Sequence, residues 1–196
     1  MENNLNSTVG EIVTGKVTQT PKGNDIDLNS LDLDLLVDYI EKTYHSYIKE
    51  KTPILLQYLE KIKEVHGAHH PELLKIFALF SQSAMDLSMH LQKEERILFP
   101  VIRQLAKSKK SGQRAERAHF GTIQNPIAAM KEEHVAEGAR FDKISDLSHG
   151  YAVPPDGCNT FRAAYELLGE FELNLHKHIH LENNILFPKA IELEKA

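Results

Sequence analysis

The segment His178-Ile-His-Leu-Glu182-Asn-Asn-Ile-Leu-Phe-Pro188 decides how this chain folds, because an earlier segment, His90-Leu-Gln-Lys-Glu94-Glu-Arg-Ile-Leu-Phe-Pro100, repeats its plan. In each, a His is followed four residues later by a Glu, and Ile-Leu-Phe-Pro stands at the same offset. On an α-helix a four-residue step returns to the same face one turn along. Each segment therefore carries an imidazole and a carboxylate side by side. A second echo lies upstream: His45 precedes His90 by 45 positions, and His134 precedes His178 by 44. The chain reads as two half-molecules of nearly equal period.

Around these segments the apolar residues recur at helical spacing. From Leu31 onward, Leu35, Ile48, Leu55, Leu59 and Ile62 form one stripe that includes His45. Pro53 should kink this helix without ending it, because the period resumes beyond it. Gly67, as a C′ residue, and Pro71, as an N1 residue, bracket a turn. A second helix from about Pro71 to about Lys107 presents Ile76, Leu79, Ser83, Asp86, His90, Glu94, Ile97 and Val101. A loop over residues 107–114 follows. The third helix, interrupted early near Pro126, presents Ile127, Met130, His134, Gly138, Phe141 and Ile144. Residues 151–157 (Tyr-Ala-Val-Pro-Pro-Asp-Gly) cannot continue a helix and form a second turn. A fourth helix from about Asn159 presents Leu168, Phe171, Leu175, His178, Glu182 and Ile185. No stretch alternates apolar and polar for long, so no strand is predicted. The expected fold is all-α, an up-down-up-down four-helix bundle over residues 31–194, with residues 1–30 as a short, polar, flexible leader.

Length and composition bound the function. The 196 residues suit one domain with a sizeable core, and 41% hydrophobic with 26% charged residues is ordinary for a soluble protein. A net charge of −5, spread along the chain, points to no nucleic acid and no anionic membrane as partner. The basic run at 107–114 lacks aromatic residues for stacking bases and reads as a solvated loop. There is no signal peptide and no apolar run near ~18 residues, which predicts a cytoplasmic protein. A single cysteine, Cys158, excludes an internal disulfide framework and a thiolate metal cage. What stands out is histidine, eleven in number.

Antiparallel helices bring several of these imidazoles to one height. His45 lies about 21 residues before the first turn and His90 about 20 after it, so at ~1.5 Å per residue both sit ~30 Å from that turn. His134 lies about 15 residues before the second turn and His178 about 20 after it, a mismatch of about five residues, or ~8 Å at the helical rise, which a loop that climbs would absorb. Buried Glu is costly unless paired or bound to metal. The candidate metal ligands are therefore His45, His90, Glu94, His134, His178 and Glu182. Imidazole with carboxylate suits iron, manganese or zinc, and the lack of thiolate speaks against structural zinc. Six ligands exceed one ion's share once open positions are wanted. The expectation is two iron ions, each with two His, bridged by both Glu, with room for an oxo or hydroxo bridge and one exchangeable position on each ion. His66 lies 21 residues beyond His45, ~31 Å along an unbroken helix, and joins the site only if that helix breaks. His69 and His70 are expected to face solvent, His176 and His180 to take surface or supporting places, and His119 and His149 to sit at helix ends. Asp86 and Glu133 are candidates to orient an imidazole or relay protons.

With these motifs in view the chain resembles a known family. Tyr44-His45, Val65-His66-Gly67, His90-x-x-x-Glu94-Glu95 with Ile97-Leu-Phe-Pro100, Glu133-His134 and the 178–188 segment are similar to the hemerythrin-like di-iron domain of the repair-of-iron-centres proteins. The resemblance covers about residues 31–194. It implies a carboxylate-bridged di-iron centre, reactivity with nitric oxide or oxygen, and a role in repairing iron–sulfur clusters damaged by nitrosative or oxidative stress. Apo or damaged iron–sulfur proteins would be the partners. Pro154-Pro155 and the Cys158-Asn-Thr-Phe stretch also look like the family's connection between third and fourth helices. Full-length members carry an N-terminal cysteine pair, whereas no cysteine precedes Cys158 here. The alternative is a hemerythrin-like oxygen carrier or sensor without turnover. A ferritin-type reading is weaker, because its Glu-x-x-His motif occurs here as Glu116-Arg-Ala-His119 alone.

Overall fold

In a computed structural model that describes residues 27–112 and 121–195, the apolar stripes become four long helices. The first 26 residues of the leader, the Glu116–His119 motif and the last residue lie outside the described residues. Helix α1 spans residues 33–66, α2 spans 72–111, α3 is Gln124–Leu147 and α4 spans 159–195. Packing runs around a ring: α1 lies against α2 and α4, α2 against α3, and α3 against α4. That is the up-down-up-down bundle, with no strand among the described residues. No described helix is long and apolar enough to cross a membrane.

The core is split into two. At the chain-terminal end Leu36, Ile40, Phe99, Ile102, Ile127 and Phe187 pack together. At the turn end a second cluster gathers Leu59, Ile62, Phe80, Phe141, Phe161 and Phe171. Between them lies a polar layer in which His45, Glu94, His178 and Glu182 are at most 1% exposed. Aromatic packing closes the turn end, with Phe171 5.3 Å edge-to-face from Phe80 and stacked 5.7 Å from Phe141.

Three of the four helices contain one π turn: Glu41–His45 in α1, Glu94–Leu98 in α2 and Glu182–Leu186 in α4. A π turn inserts one extra residue and rotates everything beyond it by about 100° relative to an unbroken helix. This corrects the expected stripes. Continuing α2 at ideal spacing from Glu94 would bury Ile97 and Val101; Ile97 is instead 41% exposed, while Leu98 and Ile102 are fully buried. In α1 the same shift turns Leu35 outward, 52% exposed, and buries Leu36. Helix α3 has no π turn, and Ile127, Met130, His134, Phe141 and Ile144 of its expected stripe are buried, while Gly138 is half-buried and Glu137 takes the buried place beside it.

Other boundaries move for local reasons. Residues 107–111 continue α2, because the left-handed residue that stops the helix is Gly112, with φ of 65°. Lys110 in that last turn reaches Asp32 and Asp34 at 3.0 and 2.9 Å. Pro126 does not interrupt α3; it falls in the first turn, where the missing N–H has no helical partner to lose. Pro53 lies inside α1, which runs through it to His66. The loop between α3 and α4 turns through three successive positive-φ residues, His149, Gly150 and Tyr151. His134 and His178 nevertheless both reach Glu182, at 3.2 and 3.1 Å. His70 is not simply solvent-facing: it links the two turns, 2.9 Å from Glu72 and 3.1 Å from Asp156.

Gly67 closes α1 with a right-handed φ of −59°, so it is not there for left-handed freedom. It is there for space: a Cβ would collide with the Lys63 carbonyl oxygen that its own N–H bonds at 3.0 Å. Gly67→Ala is therefore expected to destabilise the bundle by about 1–3 kcal/mol in urea unfolding. A stability equal to wild type would show that the turn is looser than described.

Candidate metal centre

Each of the six predicted residues is carried to the polar layer by its helix. His45 ends the α1 π turn, while Glu94 and Glu182 begin those of α2 and α4. His134 comes from α3. They form two groups that share both carboxylates: His45, Glu94, His178 and Glu182, and His90, Glu94, His134 and Glu182. In each group one donor atom from every residue lies within 4.8 Å of the others.

The two oxygens of each carboxylate point into different groups. Glu94 Oε2 is 3.4 Å from His45 Nε2 and Oε1 is 3.5 Å from His90 Nε2. Glu182 Oε1 is 3.1 Å from His178 Nε2 and Oε2 is 3.2 Å from His134 Nε2. All four carboxylate oxygens, with His45 Nε2 and His178 Nε2, are buried without a hydrogen-bond partner. Two carboxylates away from water, faced by imidazoles but without a well-formed hydrogen bond, cost several kcal/mol, and a cation shared between them removes that cost. The donor set fits a pair of hard or borderline cations; in these residues there is no thiolate to favour a softer one.

Electrostatics within the layer agree. Burial pushes the Glu94 and Glu182 carboxyls up, but the facing imidazoles prevail and hold both below the usual carboxylate range. Burial likewise opposes charge on His90, yet Glu94 and Glu182, with Glu133 behind the ring, raise it to about 9.

Behind the donors stand residues that orient them, and the half-molecule repeat continues into this layer. Glu95, which follows Glu94, bonds His45 Nδ1 at 2.8 Å; Asn183, which follows Glu182, faces His134 Nδ1 at 3.1 Å. Glu133, which precedes His134, bonds His90 Nδ1 at 2.8 Å. Its counterpart Tyr44, which precedes His45, stacks on the His178 ring at 5.6 Å. Phe99 stacks on His45 and Phe187 on His134, at 5.4 and 6.1 Å. Lys49 and Lys93 in turn anchor Glu95 and Glu133. Fixing the outer nitrogen of a ring fixes its tautomer and aims the inner one. The sequence reading found Glu133 but missed Glu95, Asn183 and the stacking rings. Their signal was available: they occupy matching offsets in the two halves.

Not every candidate arrives. Because α1 is unbroken, His66 ends at the turn end of the bundle beside Phe161, 5.4 Å between rings, and belongs to neither group. Asp86 pairs with Arg140 at 2.6 Å and does not orient His90. His176 and His180 are exposed on α4, as expected.

This arrangement, two His/Glu groups sharing carboxylates in the waist of a four-helix bundle, defines a class of cation-binding bundle proteins. Residues 37–190 match the model of the hemerythrin HHE cation binding domain, and the chain belongs to that family. Among curated proteins it is similar to the iron-sulfur cluster repair protein YtfE of Yersinia pestis strain Pestoides F and of Yersinia pseudotuberculosis serotype O:1b strain IP 31758. Both are 35% identical over 176 residues, which is 90% of this chain and 74% of theirs.

The displaced His66 has a measurable effect. Its imidazole lies beside the exposed Cys158 at the start of α4 and, with the backbone N–H groups there, holds the thiol down to about 7. Iodoacetamide should alkylate Cys158 with a rate that rises to half its plateau near that pH, since only the thiolate reacts. In His66→Gln the midpoint should move up by about one unit, towards the ordinary thiol value near 8.5. An unchanged midpoint would remove His66 as the cause.

Proposed function

We propose that His45, His90, Glu94, His134, His178 and Glu182 hold two iron ions, with Glu94 and Glu182 shared between them. On this reading the protein acts in the cytoplasm in the nitrosative and oxidative stress response. It binds nitric oxide or oxygen at the centre and supports the repair of damaged iron–sulfur proteins. The observation that carries the proposal is the pair of fully buried carboxylates whose four oxygens lack any hydrogen-bond donor. Membership of a cation-binding family and the printed name of the Yersinia relatives support it.

When bound, the iron pair supplies one-electron redox chemistry and open positions for a diatomic molecule. The chain's residues do the rest. Each group presents four donor atoms, which leaves positions free for a small ligand. Glu95, Glu133 and Asn183 hold the rings in the orientation that aims Nε2 inward. Phe99, Phe187 and Tyr44 cover the faces of the His45, His134 and His178 rings. The rival reading, an oxygen carrier or sensor without turnover, is served by a fifth histidine at the centre. His66, the residue available for that place, lies at the turn end beside Phe161, which favours the repair reading.

Protein purified from iron-replete cells should contain about two irons per chain, measured by plasma emission, and a His90→Ala/His178→Ala double variant should lose most of them while keeping its helical circular dichroism. Anaerobic addition of nitric oxide to the reduced protein should change its absorption and paramagnetic spectra. One iron or none in fully loaded protein would reject the two-ion centre, and a flat nitric oxide titration would reject the role.

A further inference from the structure

Beside the metal-ligand layer lies a cavity of about 170 Å³ between α2 and α3, with α4 behind it. His90, His134 and His178 form its floor, so it opens on both donor groups. One side is apolar, with Leu87, Leu175 and Ile179. The other is charged, and its wiring is unusual for a core. Glu137, 5% exposed, accepts from the fully buried Ser83 hydroxyl and from Arg140 Nη1. Arg140 Nη2 goes to Asp86 Oδ2 at 2.6 Å, and Gln82 holds the other Asp86 oxygen at 2.8 Å. At the mouth Lys93 is committed to Glu133.

Three carboxylates, of Asp86, Glu133 and Glu137, thus face two cations, and those cations already point their donors at protein oxygens. Burial pushes the Glu137 carboxyl up and Ser83 and Arg140 work against that; with Glu137 ionised, an entering anion meets a net negative wall whose cations are engaged. An uncharged diatomic meets the aliphatic side at no electrostatic cost. Size does not make this distinction: the volume corresponds to several waters at ~30 Å³ each, which also admits a triatomic anion. Charge does.

We propose that this wall makes the centre selective for small uncharged ligands over anions, with Glu137 the residue that sets the discrimination. The inference rests on the two-iron reading above and names the ligand class that reading admits. A unit charge acting over roughly 8–10 Å through a partly buried medium changes an anion's affinity about tenfold.

The test uses iron-loaded wild type, Glu137→Gln and Arg140→Gln, titrated with azide as the anionic probe and nitric oxide as the neutral one, with iron content measured in each. Azide should bind about tenfold tighter to Glu137→Gln and about tenfold weaker to Arg140→Gln, while nitric oxide binding stays within twofold of wild type. Asp86→Asn, nearer solvent, should give a smaller change in the direction of Glu137→Gln. Equal azide affinity across iron-loaded variants overturns the inference and leaves the metal centre standing. Parallel changes for azide and nitric oxide also overturn it, since they mean a general disturbance. Loss of iron from a folded Glu137→Gln protein overturns it too, by making Glu137 a support of the metals and not a filter. Absence of iron from wild type itself defeats the two-iron reading and this inference with it.

Discussion

Two carboxylates sealed inside a helical bundle with no donor of their own are the constraint on which the rest depends. A folded domain is stable by only about 5–15 kcal/mol, and desolvating two carboxylates consumes several kcal/mol each. The bundle tolerates them because two apolar clusters, one on either side of the layer, supply the burial energy. It also supplies imidazoles that hold them ionised in the chain alone. Such a layer is a poor choice for stability and a good one for gripping cations. That is why the family relationship and the geometry tell one story.

The π turns are how straight helices serve this layer without giving up their ends. Each of the three shifts the register by one residue at the point where a donor leaves for the centre. The same face of a helix can then be polar at the waist and packed against a different set of neighbours at the chain-terminal end. Without the extra residue, α2 could not place both Glu94 in the layer and Leu98 with Ile102 in the core beyond it. The widened turns lie where Ile-Leu-Phe-Pro recurs, and in α1 a π turn forms with no proline at the same offset. Proline therefore accompanies the feature without being required for it.

Much of this was legible in the residues. The His-x-x-x-Glu repeat gave the helical face, the 45- and 44-residue echoes gave the partners across the bundle, and rise per residue gave a common height. Reading stopped where helices ceased to be ideal. Leu35 and Ile97 were assigned inward because spacing arguments assume 3.6 residues per turn, whereas a π turn separates Leu35 from the rest of its stripe and Ile97 lies within one. On α3, which has none, the stripe holds at every position but Gly138, which is half-buried while Glu137 beside it is buried. Glu95 and Asn183 were overlooked because a residue adjacent to a ligand points about 100° away on its own helix. Only the tertiary arrangement shows that this direction leads to the back of a neighbour's ring. The charged wall of the cavity, Ser83, Glu137 and Arg140, comes from two helices with no shared motif, so nothing in one sequence announces it.

Duplication equalises positions, not environments. Three of the four imidazoles rest against an oxygen acceptor at Nδ1, two of them carboxylates, while His178 Nδ1 is buried without a hydrogen bond and Tyr44 covers only the face of its ring. His178 is thus the one donor whose imidazole receives no electron density from an acceptor behind it. If two ions sit there, as proposed, their seats are chemically unlike, and symmetry of sequence does not make them equal in grip.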